Sequence, residues 1–190
     1  MFARIPNTIP EWALAVAGVI AFGIFALGRQ NFFVRPQSLT RRQHLFQFAT
    51  LVLAVTHVLA LFVLEPAGET WAGIGVGIYA LALSLFLSAI EAAGRVPMTR
   101  AFVYEPRCNH IIRQGPYRVI RHPIYLSYSL AWLAAPVATH HPVLAITAVM
   151  MVACYAMSAR EEERRMTLGS LKEEYADWQK RTWRMIPFLY

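Results

Sequence analysis

The chain has 190 residues, of which 57% are hydrophobic and only 15% charged, against about 25% charged in a soluble domain, and its mean hydropathy is positive. That balance excludes an ordinary soluble globular protein. Without a linker or low-complexity run to divide it, residues 1–190 read as a single membrane-embedded domain, and the net charge of +7 is accounted for by arginines that anchor helices beside anionic lipid.

In chain order, the apolar runs Trp12 to Gly28, Leu45 to Leu64 and Trp71 to Ile90 approach the ~20 residues that cross a bilayer core as a helix. The first is not read as a signal peptide, because its basic lead is weak and no small-x-small cleavage site follows. The shorter runs Ile124 to Val137 and Val143 to Met157, joined by "THHP", predict a spanning helical hairpin. An amphipathic helix bearing Trp178 and Trp183 as interfacial anchors is expected near the C-terminus, covering the site. The fold class is therefore an all-α membrane bundle of about five transmembrane helices. With the N-terminus outside, 17 of the 18 Lys and Arg fall on the inner side, so the positive-inside rule predicts a multi-pass protein with a cytoplasmic C-terminus. No basic and aromatic module of a nucleic-acid-binding type stands out.

Two polar clusters flank the last spans. "GPYRVIRHPIY" (115–125) closes the loop before the fourth span. Pro123 suits the first turn of a helix, because its missing N–H would have been unpaired there, and His122 takes the cap position. Gly115 and His122, each before a proline, are expected to bracket a stiff, non-helical segment. Free N–H groups at that helix start suit an anion, while a membrane-interface belt of Arg and Tyr is the plainer alternative. The second cluster, Glu161, Glu162 and Glu163, follows the fifth run on the same membrane face. Carboxylates are disfavoured at a helix C-terminus, which argues for a cation between the clusters; a solvated charge ladder with Arg164 and Arg165 is the alternative.

Other features point to structure. Gly73, Gly75 and Gly77 permit close helix packing, and the intramembrane His57 suits a helix-to-helix hydrogen bond more than a haem ligand or proton relay. Cys108 and Cys154 make no metal spacing, and no metal is expected.

At these two clusters the chain resembles the integral-membrane methyltransferases related to isoprenylcysteine carboxyl methyltransferase and the phospholipid methyltransferases. "GPYRVIRHPIY" is similar to the family's G-P-Y-R-x-x-R-H-P-x-Y signature, and "EERRMTLGSLKEEYADWQKRTWRMIP" to its closing segment, over about residues 71–187. The resemblance implies S-adenosylmethionine as methyl donor, held by Asn109, His110, Ile111, Ile112, Tyr117, His122, Pro123, Ile124, Tyr125 and Glu162, with Glu163 as the second choice of carboxylate. It implies methyl transfer to a lipophilic or small-molecule acceptor from the membrane lipid phase, while a non-catalytic membrane module, a transporter subunit or haem-binding scaffold, is the alternative. In the family it resembles, enzymes acting on prenylcysteine carry an arginine four residues before the first glutamate of the closing pair, here Glu162. Ser158 stands there, which predicts a neutral or cationic acceptor.

Overall fold

A computed structural model describes residues 8–33, 40–94, 111–169 and 171–189, Arg42 by its backbone alone. Among them run six α-helices: α1 (Ile9–Asn31), α2 (Arg41–Ala60), α3 (Glu69–Ala93), α4 (Pro123–Thr139), α5 (Pro142–Met166) and α6 (Lys172–Lys180), with a 3-10 turn over Gly115–Arg118. The helical bundle is as expected, and local sequence explains where its helices begin. The Thr8 side chain accepts a hydrogen bond from the Glu11 N–H at the start of α1. Thr40 and Gln43 form a reciprocal capping box on α2, with Thr40 five residues ahead of the apolar run. Pro123 and Pro142 occupy the first turns of α4 and α5, and His140, in the left-handed conformation at φ 55°, turns the chain between them.

Four helices, α1, α2 from Gln43, α3 and α5, are long and apolar enough to cross a membrane, which makes this a multi-pass membrane protein. The fourth helix in sequence, α4, has 17 residues, about 25 Å at 1.5 Å per residue. It packs against α3 and α5, with α1 against α3, so that α4 is buried around most of its surface. Its small residues Ala131, Ala134, Ala135 and Ala138 permit this close approach. Of the three glycines in α3, only Gly75 has the packing role expected: a Cβ there would lie 2.7 Å from Leu14 and 2.8 Å from Ala138. Gly73 and Gly77 face open space. α2 lies at the periphery, with Leu45, Leu51, Val52, Val55 and Leu59 exposed and His57 its one buried polar side chain among the described residues. The imidazole lies 3.5 Å from the Thr147 hydroxyl and packs edge-on to Trp132, so His57 joins α2 to α5 and α4 as a helix-to-helix contact.

Candidate functional site

α1, α3 and α5 end, and α2 and α4 begin, at one end of the bundle, and the polar clusters meet there. The chain enters this end through Gly115, whose φ of +53° is a left-handed conformation; a Cβ at that position would lie 2.8 Å from the Ala92 Cβ. The stretch to His122 is less uniform than an extended connector. Residues 115–118 coil into the 3-10 turn and bury Tyr117, and the chain then pairs alongside the C-terminal segment. Arg121 N–H donates to the Trp183 carbonyl at 2.8 Å, His122 N–H to Arg184 at 3.0 Å, and Trp183 N–H to Val119 at 3.0 Å. Trp183 therefore belongs to this pairing and lies beyond α6, so only Trp178 of the two expected anchors is on the helix. α6 docks by burying Tyr175, and the exposed pair Arg113–Glu174, 3.0 Å apart, links it to the segment before the turn.

α5 continues through the glutamates to Met166, and each carboxylate faces a different environment. At 100° of rotation per residue, three consecutive side chains on a helix cannot share one. Glu161 faces outward and accepts hydrogen bonds from Arg164 and Arg165 at 2.8 Å, the solvated ladder in its i,i+3 and i,i+4 form. Glu163 points inward and is only 3% exposed. It accepts from Arg121 Nε at 2.7 Å, from Arg184 Nε at 2.8 Å and from the Gln179 amide at 3.3 Å, and His122 Nε2 lies 3.4 Å away. The Arg121 guanidinium also donates to the Thr182 and Gln179 carbonyls. Glu163 is thus a buried cross-tie that fixes the C-terminal segment onto the start of α4.

Glu162 stands between these extremes, with its side chain 35% exposed. The Tyr125 hydroxyl donates to its Oε2 at 3.3 Å, and His122 Nδ1 lies 3.7 Å from the same atom. Among the described residues, nothing is bonded to Oε1. Burial pushes the Tyr117 phenol above its ordinary value, and the Glu162 carboxylate acts in the same direction, which places that ring within its electrostatic reach. His122 occupies the N-cap position of α4, but its side chain does not cap; the imidazole stacks on Tyr125 at 5.4 Å, and Tyr125 stacks on Tyr155 at 5.9 Å.

Of the residues singled out in the sequence, Tyr117, His122, Tyr125 and Glu162 converge. Pro123 and Ile124 lie buried in the first turn of α4, and Ile111 and Ile112 lie half-buried ahead of the 3-10 turn. Asn109 and His110 lie outside the described residues. Two features escaped the sequence reading. The Arg121–Glu163–Arg184 tie joins the two quoted motifs, and its signal is the pair of cations directly before His122 and Met185. The other is a cavity of about 150 Å³ between α1, α2, α4 and α5, lined mainly by aromatic rings including Phe25, Phe46, Tyr128, Trp132 and Tyr155, with Arg29 and Gln47 in its wall. Tyr155 belongs both to this cavity and to the ring stack that ends at His122. Ser158, where the sequence lacks an arginine, is buried and its hydroxyl has no partner among the described residues.

The family model for phospholipid methyltransferases matches residues 71–171, from the start of α3 to the start of the C-terminal segment. The cobalt-zinc-cadmium resistance protein CzcN of Cupriavidus metallidurans is 29% identical over 143 residues, which cover 72% of this chain and 64% of that protein. The chain thus spans less than two thirds of that relative's length. Among the described residues, no three His, Cys, Asp or Glu side chains converge as a metal site would require.

Proposed function

Because the chain belongs to the phospholipid methyltransferase family, we propose that it transfers a methyl group from S-adenosylmethionine to a lipophilic or small acceptor at the cytoplasmic face of a membrane. The observation that carries this reading is Glu162, a half-exposed carboxylate with one oxygen engaged by Tyr125 and the other without a partner among the described residues. A carboxylate held in this way suits a cationic ligand, and its neighbour Glu163, saturated by Arg121 and Arg184, does not compete for it. When bound, the donor supplies a methyl carbon on a positively charged sulfur, which accepts the bonding electron pair and leaves as a neutral thioether.

The chain's own residues then have three tasks. Glu162 holds positive charge, and Tyr125 and His122 orient that carboxylate. The N-terminus of α4, where Pro123 leaves no surplus donor and the following N–H groups have no intrahelical acceptor, suits the ligand's carboxylate. Tyr117, Ile111, Ile112 and Ile124 supply apolar walls, and the stacked His122, Tyr125 and Tyr155 rings line the side toward the bundle, where they limit the access of water. Displacement at a methyl group needs alignment more than an enzyme nucleophile, and positioning supplies about 7–11 kcal/mol of barrier lowering. The basic end of the bundle is the cytoplasmic one by the positive-inside rule.

Calorimetry with S-adenosylhomocysteine on the purified protein in detergent tests the assignment. Saturable binding is expected, weakened about tenfold or more in Glu162→Gln, because one charge-assisted hydrogen bond contributes about 1.5–3 kcal/mol. No binding would favour the alternative of a non-catalytic membrane module, and unchanged affinity in the variant would displace Glu162 from the donor site.

A further inference from the structure

We propose that the cavity between α1, α2, α4 and α5 receives the methyl acceptor and that Arg29 selects acceptors carrying an acidic group. The inference rests on the methyltransferase reading above and adds the substrate's chemical class to it.

The cavity has two kinds of wall. Aromatic rings form most of it, and its volume of about 150 Å³ is that of a cavity that encloses a benzene-sized apolar fragment. Arg29, in the last turn of α1, supplies a permanent positive charge to the same space. It is half-buried, and among the described residues no carboxylate or other hydrogen-bond acceptor engages it. A half-buried guanidinium, favoured here by the partial negative charge of the α1 C-terminus, gains further from an acidic ligand group through a bidentate, charge-assisted contact. The charge missing at position 158 is therefore offered from α1, and the expectation of a neutral or cationic acceptor gives way to an acidic amphiphile.

Location supports the role. Tyr155 lines the cavity and stacks on Tyr125, whose hydroxyl reaches Glu162, so the cavity adjoins the donor carboxylate along these two rings, past whose edges the acceptor's nucleophile reaches the methyl carbon. Two of the four helices around the cavity, α1 and α2, precede the family-matched residues 71–171, so the discriminating contact comes from the part of this chain outside the match.

The test measures binding of three probes to the full protein in lipid nanodiscs, with partition into empty nanodiscs subtracted: 4-phenylbutyrate, 3-phenylpropyl phosphate and the uncharged 4-phenylbutyramide. The unmodified protein is expected to bind at least one acid about ten- to a hundredfold more tightly than the amide. Comparison of the two acids distinguishes a carboxylate from a phosphate source. Arg29→Gln is expected to erase the preference, Arg29→Lys to keep most of it, and Ala54→Phe, which fills the cavity, to weaken all three. Equal binding of acids and amide, or a preference that survives Arg29→Gln, overturns the inference. S-adenosylhomocysteine binding is measured on the same samples. Its absence alongside an intact acid preference would reject the methyltransferase reading while leaving Arg29 as the cavity's selector; its presence without acid preference would reject the selector alone.

Discussion

Replacing Glu163 by alanine should loosen the C-terminal segment from the bundle. The carboxylate is 3% exposed and sits between the Arg121 guanidinium at 2.7 Å and that of Arg184 at 2.8 Å. Arg184 keeps 22% of its side-chain exposure and can turn to solvent, whereas Arg121 keeps only 7% and would stay buried without its counter-charge. Removing one partner of a buried pair costs about 3–5 kcal/mol, mostly because the other charge is left uncompensated. The backbone pairing of 119–122 with 183–184 remains, so the loss should lie toward the lower end of that range. Denaturation of the purified protein in detergent micelles, followed by tryptophan fluorescence, would report it, and limited proteolysis should cut the variant near residues 180–185 first. Glu161→Ala is the control: it breaks an exposed ladder of similar hydrogen-bond lengths, and its effect should be small. A Glu163 variant as stable as the Glu161 variant, with its C-terminal segment equally protected, would refute the cross-tie.

Further predictions concern packing, conformation and topology. Gly75→Val should destabilise the protein by about 1–3 kcal/mol in the same denaturation assay, since even its Cβ would press on Leu14 and Ala138, while Gly73→Ala and Gly77→Ala, in open space, should not. Gly115→Ala combines a left-handed backbone with a 2.8 Å contact to Ala92 and should lower stability by about 1–3 kcal/mol; an unchanged midpoint would contradict the described turn. In a background with Cys108 and Cys154 replaced by serine, cysteine at Glu69 should label with an impermeant reagent from outside intact cells and cysteine at Leu168 should not, and the reverse pattern would invert the orientation.

Much of the architecture was legible because a bilayer imposes a length rule that hydropathy reads directly. Trp12 to Gly28 lies within α1 and Trp71 to Ile90 within α3, each helix extending a few residues beyond the apolar run. α2 starts earlier than Leu45 and stops at Ala60, because the Thr40–Gln43 capping box sets its start and hydropathy alone does not register caps. The burial of α4 was not legible: an apolar helix facing protein has the same composition as one facing lipid. Within the site, motif order places Tyr117, His122, Tyr125 and Glu162 at one end of the bundle, and the structure has them near one another. The three glutamates were indistinguishable as letters, since the face each occupies matters only once α6 and the 182–185 segment supply Arg184 and Gln179. In the sequence, Arg29 is indistinguishable from the other helix-anchoring arginines for the same reason. Its place in a cavity depends on how α1 packs against α4, a contact between residues about a hundred positions apart.

The most direct test of the account is methyl transfer itself. Purified protein reconstituted with total membrane lipids and methyl-labelled S-adenosylmethionine is predicted to move label into an organic-extractable product, inhibited by S-adenosylhomocysteine and reduced at least tenfold by Glu162→Gln. Saturable S-adenosylhomocysteine binding with no label transferred to any lipid, amine, thiol or carboxylate acceptor supplied would contradict it.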